Sequence, residues 1–237
     1  MAPLADSLAQ LEAAGLRYYL ASFSALDRYF RHPRGENLYI AVDGSLIDLA
    51  KALGELEYPG LEEWDAASAH GTGYVYYRCL EDEYPRRRMS FHILDLLYDP
   101  VADKFFDPRD AYRELRSSSA PTASEGAGPL AVLTDAAVLT ARYGYEVDAQ
   151  RLPAPVYPDA VPAALQHRLL VDLLEAREPA RGFRLLHDAG FVETVWPELA
   201  RMDTVPHSKE HHPEGNVWEH SIETLGYRKT PDLLLSL

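Results

Sequence analysis

The chain has 237 residues, 47% of them hydrophobic, a formal net charge of −14 and one cysteine, Cys79. That length and apolar content suit one large or two small cored domains, and a lone cysteine excludes an internal disulfide framework or a multi-cysteine metal site. The acidic balance lacks the broad basic surface that displaces counterions from nucleic-acid phosphate, though a local basic patch can coexist with it. No apolar run approaches the ~20 residues of a membrane span. The opening "MAPLADSLAQ" has no basic leader before an apolar core, so a soluble, cytoplasmic protein is expected.

In chain order, residues 5 to 31 read as one helix, with Leu8, Leu11, Gly15, Tyr19, Phe23, Leu26 and Phe30 recurring at three- and four-residue steps. "HPRG" breaks that pattern. "NLYIAV" then reads as a buried strand, "DGS" as a tight turn and "LIDLAKALGEL" as a helix leaving the turn. Further strands are expected at "GYVYYRCL", "SFHILDLLYD" and "KFF". The densest basic run is "PRRRMS", Arg86 to Arg88, whose plainest reading is a solvated loop.

The stretch "SSSAPTASEGAGP" carries almost no bulky apolar residue and is expected to be a linker over 117–128. Beyond it the pattern is helical: "LAVLTDAAVLTARYG", "PAALQHRLLVDLLEA" and "PARGFRLLHDAGFVETVWPELARM", punctuated by Pro and Gly. Near the end, "HHPEGNVWEH" (211–220) packs three histidines and two glutamates into ten residues. Such density raises the question of a metal site, which needs several N and O ligands converging in space.

The helical half resembles a known family. "ALQHRLLVDLLEAREPARGFRLLHDAGFVETVWPELARM" followed by "HHPEGNVWEH" is similar to the body of bacterial CCA-adding enzymes and related poly(A) polymerases. There a helical neck patterned PARALRLL…GLLE…PEL leads into HPEG-[DN]-VWEH-T. Here the motif runs from His212 to His220, with Ser221 for the threonine. The resemblance implies an α+β chain: a nucleotidyltransferase-like head with a mixed sheet (1–116), an all-helical neck (129–205) and the first helix of an HD domain (206–237). In relatives with a metal-dependent HD domain, the histidine of VWEH is the first ligand. A His-Asp pair roughly twenty residues on supplies the next. His220 is therefore the implied ligand, and the chain stops at "TPDLLLSL", about where the His-Asp helix would begin. The expectation is an incomplete site, holding a divalent metal only if the missing part is present. "LLHD", with His187 and Asp188, and His167 before it, mimics that spacing. The resemblance puts it in the neck instead, as exposed helix residues.

For the head, the resemblance implies two-metal nucleotidyl transfer, with a Gly-rich turn for the triphosphate and a D-x-D pair for Mg²⁺. "DGSLID" stands where G-G-x-V-R-D belongs, so Gly44, Ser45 and Asp48 are candidate nucleotide-binding residues, with Asp43 for the first Gly and Ile47 for the Arg. An acidic side chain beside a triphosphate is unfavourable. "EWDAASA" looks like D-x-D-L-A-T-S, making Glu63 and Asp65 the candidate catalytic, Mg²⁺-binding pair, or else an ordinary solvated acidic turn. "RRMSFHILDLLYDP" aligns with R-R-D-F-T-x-N-A-L-x-Y-D-P, offering Arg87 and Arg88 to a nucleotide. Met89, Ser90 and Leu94 replace the motif's second Arg, its Asp and its Asn. In the neck, "AGPLAVL" replaces E-D-P-L-R-x-L, and Ala131 stands in place of the Arg.

Scaffold positions survive while nucleotide-contacting ones are lost. The expected function is an RNA 3′-end nucleotidyltransferase relative with an inactive head and an HD-type phosphohydrolase domain cut off at its end. Two alternatives stay open: a non-catalytic RNA- or nucleotide-binding module, and a divergent active tRNA nucleotidyltransferase using Glu63 and Asp65. The implied partners are tRNA-like RNA or a nucleotide, with no membrane.

Overall fold

The computed structural model describes residues 4–54, 56–57, 66–69, 74–79, 89–117, 120–154, 157, 161–205 and 216–228. The chain forms two compact units, Met1–Glu125 and Gly126–Leu237.

The helix expected over 5–31 is three elements: α1 (Leu4–Ala13), β1 (Arg17–Leu20) and α2 (Ser22–Phe30). Gly15 ends α1 with φ +72, while the Leu16 N–H returns to the Leu11 carbonyl at 2.9 Å. That is a Schellman termination, which favours glycine because a Cβ strains the left-handed conformation. Freed from the helix, "RYYL" pairs antiparallel with β2 (Leu38–Asp43), Arg17 opposite Asp43 and Leu20 opposite Ile40. Tyr19 and Phe23 kept a helical spacing by coincidence, because only Ala21 separates β1 from α2.

β2 is followed by α3 (Leu46–Leu53), β3 (Leu56–Glu57), β4 (Ala66–Ala69) and β5 (Tyr74–Cys79), and later by β6 (Leu97–Asp99) and β7 (Lys104–Phe106). The described strands form one mixed sheet in the order β3-β4-β5-β2-β1-β6-β7, in which β2 and β5 run parallel and the other neighbours antiparallel. The expected strands at "NLYIAV", "GYVYYRCL" and "KFF" are present. Leu38, Ile40 and Val42 of β2 pack with Leu11, Tyr18, Leu46, Leu49 and Tyr76 on the α1/α3 face. Ala41 turns to the opposite face with Ala21 and Leu97, where Phe23 of α2 meets Tyr39 edge-on at 5.4 Å. Burial on both faces explains why β2 reads as a continuous apolar run.

"SFHILDLLYD" is not one strand. A 3₁₀ turn at His92–Asp95 precedes β6, because the buried Asp95 carboxylate accepts the Met89 N–H at 3.0 Å and curls the segment back. The stretch expected as a linker is also ordered in part. The Ser124 N–H reaches the Ser90 carbonyl at 2.8 Å, the His92 N–H reaches Thr122 at 3.1 Å, and Phe91 bridges Ala123. Composition is silent here because backbone groups need no bulky side chain to pair. The head unit therefore runs to Glu125.

A short α4 (Ala111–Leu115) follows β7 in the first unit, and the second unit is helical. α5 (Pro129–Tyr143) starts on a proline and closes at Gly144 with φ +75. α6 (Ala163–Leu174) and α7 (Pro179–Asp188) follow. At Gly182 the helices meet closely: an added Cβ would lie 2.8 Å from the Ala137 carbonyl and 2.5 Å from Leu173 Cδ2. The remaining pattern breaks at Gly190 (φ +74) and Pro197 into α8 (Phe191–Val195) and α9 (Pro197–Ala200). Phe191 and Phe183 pack on Trp196, whose indole N–H donates to Gln166 Oε1 at 2.9 Å. α10 (Val217–Gly226) is N-capped by Asn216, whose side-chain oxygen accepts the Glu219 N–H at 2.8 Å. Arg228 donates to the carbonyls of Leu174 and Ala176, closing the end of α6. Among the described residues no helix is long and apolar enough to cross a membrane.

Candidate functional site

At the end of β2 the chain turns through Asp43, Gly44 and Ser45 into α3. Asp43 Oδ2 is 3.0 Å from Arg17 Nη2 across the β1–β2 pair. Gly44 has no left-handed φ. Its missing side chain instead makes room for Leu16, whose Cδ2 would sit 2.8 Å from an added Cβ. Ser45 and Asp48 form a capping box: Ser45 Oγ accepts the Asp48 N–H at 3.2 Å, and Asp48 Oδ2 accepts the Ser45 N–H at 3.4 Å and hydroxyl at 2.6 Å. The Ser45 hydrogen bonds hold the Asp48 carboxyl below its usual range. Ile47, in the Arg position of the motif, is 65% exposed and contributes no charge. A helix N-terminus attracts phosphate through free N–H groups and a positive field. Here two carboxylates flank that end, and side chains already occupy the Ser45 and Asp48 N–H donors.

The topology also shows a strand–turn–helix that precedes this one, β1 to α2. Ser22, the first residue of α2, adopts φ +49 and is 3% exposed. That conformation is uncommon outside glycine. Reading 5–31 as one helix hid this unit. The available signal was Gly15 followed by the short run "RYYL", with two adjacent tyrosines.

The third segment, Met89 to Asp95, is absorbed into the core. Met89 is 7% exposed and Ser90 6%, while Leu94 is fully buried. Asp95 is also fully buried; its Oδ1 accepts the Met89 N–H and lies 3.0 Å from Arg109 Nη1. Oδ2 has no partner among the described residues. Burial raises the Asp95 carboxyl above its usual value, against the pull of the Met89 N–H and Arg109. Nothing in the sequence motif pointed to this residue.

Glu63, Asp65, Arg87 and Arg88 lie outside the described residues. Ala66, next after the acidic pair, starts β4 opposite Tyr77, and Tyr77 pairs with Ala41 of β2. The described carboxylates at the turn, Asp43 and Asp48, are tied to Arg17 and Ser45. His220 lies in the first turns of α10, half-buried, and its carbonyl accepts the Thr224 hydroxyl. Among the described residues no three His, Cys, Asp or Glu side chains gather as metal ligands. His187, expected as an exposed helix residue, is instead stacked on Trp218 of α10 at 4.9 Å, with Asp203 Oδ2 3.5 Å from its Nε2. His212 lies outside the described residues.

No protein-family profile and no curated protein sequence matches the chain. Solved structures do. The Bacillus stearothermophilus CCA-adding enzyme in complex with CTP superposes with a TM-score of 0.57 at 16% identity, over 98% of this chain and 59% of that one. A CCA-adding enzyme with ATP gives 0.47 at 14% identity, covering 89% and 55%. A tRNA nucleotidyltransferase complexed with a primer tRNA and an incoming ATP analog gives 0.44 at 12%, covering 92% and 74%. The first establishes the fold, α+β and nucleotidyltransferase-like, and at that identity the fold alone. The chain spans about 59% of that enzyme's length.

Proposed function

We propose that this chain is a relative of RNA 3′-end nucleotidyltransferases whose head no longer transfers nucleotides. The observation that carries the reading is the fate of the Met89–Asp95 segment. Positions where the family motif has Arg and Asn hold Met89, 7% exposed, and the fully buried Leu94. A buried thioether and isobutyl group pack the core and present nothing polar to a base or phosphate. The Asp43–Ser45–Asp48 turn supports the same reading, since its polar groups cap α3 and pair with Arg17. Losing one well-placed electrostatic contact costs ~10²–10³ in rate, and several lost together leave little. α10 is proposed as the counterpart of the opening helix of an HD domain, with His220 its first ligand position. The proposed partner is tRNA-like RNA or a nucleotide.

The test is incorporation of CTP or ATP into tRNA ending before its CCA, with Mg²⁺ or Mn²⁺. None is expected. Incorporation that disappears in Asp65→Ala would overturn the reading and make Glu63 and Asp65 a working metal pair.

A further inference from the structure

In a chain of net charge −14, residues 28–34 and 104–116 run against the balance: they hold seven of its 23 lysines and arginines and three carboxylates. The fold brings the two segments together. The Tyr29 ring, near the end of α2, meets Tyr112 of α4 at 5.9 Å and Phe105 of β7 at 5.9 Å. Phe105 in turn packs on Tyr98 of β6 at 5.0 Å. Tyr98 pairs with Leu20, at the other end of β1 from the Arg17–Asp43 pair, so this patch is separate from the turn into α3.

The charges in the patch are unevenly spent. Asp107 accepts the Ala111 and Tyr112 N–H groups at 2.6 and 2.7 Å, and Glu114 accepts the Thr122 N–H. Arg28 is paired with Asp103, and Arg109 with Asp95. Arg31, Arg34, Lys104 and Arg113 are exposed, and their side chains have no hydrogen bond or ion pair among the described residues. Arg116, also exposed, lies over the Tyr112 ring at 5.5 Å from its centroid. The acids are turned onto backbone and paired arginines while the remaining cations face water.

Uncommitted cations beside half-buried rings suit a partner that carries negative charge and flat faces together. An acidic peptide supplies only the charge, and a duplex hides the faces of its bases. A single strand offers phosphates to the cations and bases to tyrosine rings or guanidinium planes.

We propose that this side of the head, built from the end of α2, β7 and α4, binds single-stranded RNA. Arg31, Arg34, Lys104 and Arg113 hold its phosphates, and a base stacks against the Arg116–Tyr112 pair. The choice of RNA over DNA rests on the functional reading above; the patch itself does not depend on whether the head transfers nucleotides.

Fluorescence anisotropy of a labelled oligouridylate of about ten nucleotides, titrated with the full chain, tests it. Saturable binding is expected. Duplex RNA and polyglutamate should bind more weakly, and the matching deoxy strand no more tightly. The logarithm of the binding constant should fall with that of salt by ~0.7 for each phosphate neutralised. Arg31→Gln combined with Arg113→Gln, both at exposed positions, should make that slope shallower by ~1.4. Tyr112→Leu should weaken binding roughly fivefold, and Arg116→Gln should act in the same direction whatever Tyr112→Leu does to folding. Absence of binding, duplex or polyglutamate bound as tightly, a tighter deoxy strand, or a salt slope that the double variant leaves unchanged would each overturn the proposal. Incorporation of CTP or ATP tests the inactive head separately, and neither result decides the other.

Discussion

Asp95 and Arg109 form a 3.0 Å ion pair in which the carboxylate is fully buried and the guanidinium about a quarter exposed. Removing one partner of such a pair leaves an uncompensated charge in a medium that solvates it poorly. Arg109→Leu is expected to destabilise the head by about 3 kcal/mol, read as a lower urea midpoint.

The same carboxylate gives a pH signature. Its folded pKa is raised above the ordinary 3.8, so the folded state binds this proton more readily than the unfolded one. Between 3.8 and the raised folded value, its contribution to stability therefore falls as pH rises. Asp95→Asn removes the titration. The stability of the native chain relative to that variant should improve as pH drops through this window, measured by paired urea melts. A difference that stays flat with pH would contradict the desolvated site.

Ser45 and Asp48 act in the opposite sense. Asp48 is held below its usual range by Ser45, so this contribution is present above the unfolded pKa and lost as pH falls through the folded one. Ser45→Ala is expected to cost about 1 kcal/mol, with an unchanged urea m-value because no extra surface is exposed. A neutral result would mean that the turn is not held by its capping box.

Leu94 and Ile47 make a paired test of the proposed inactive head, one position being buried and the other exposed. Leu94→Asn places an amide in a fully buried site and is expected to cost about 3 kcal/mol or more. Ile47→Arg, at a 65% exposed site, should change stability by no more than about 0.5 kcal/mol. Thermal melts of the two variants check both; a tolerated Leu94→Asn would remove the main support for an inactive head.

Gly182→Ala sets helix propensity against packing. Alanine favours a helix by about 1 kcal/mol over glycine, but the new methyl would meet the Ala137 carbonyl at 2.8 Å and Ala141 Cβ at 3.0 Å. Backbone of a packed helix cannot shift cheaply, so a net loss of about 1–2 kcal/mol is expected, seen as a lower denaturation midpoint.

By itself the sequence determined the elements whose signals are local. "LYIAV" reads as a buried strand because β2 is covered on both faces, and the helices of the second unit follow from apolar spacing with Pro and Gly at their ends. The neck and VWEH patterns pointed to the fold that the CCA-adding enzyme superposition then established. Tertiary structure alone decided what depends on distant partners. β1 exists because Arg17–Leu20 finds β2 more than twenty residues on; without that partner, the spacing of Tyr19, Phe23 and Leu26 looks helical. Residues 120–125 join the head through backbone hydrogen bonds to Ser90 and His92, which composition cannot register. Asp95 and the His187–Trp218 stack are equally invisible to a motif. Burial and hydrogen bonding arise only when segments far apart in the chain close around a side chain, and that closure decides whether it serves chemistry or packing.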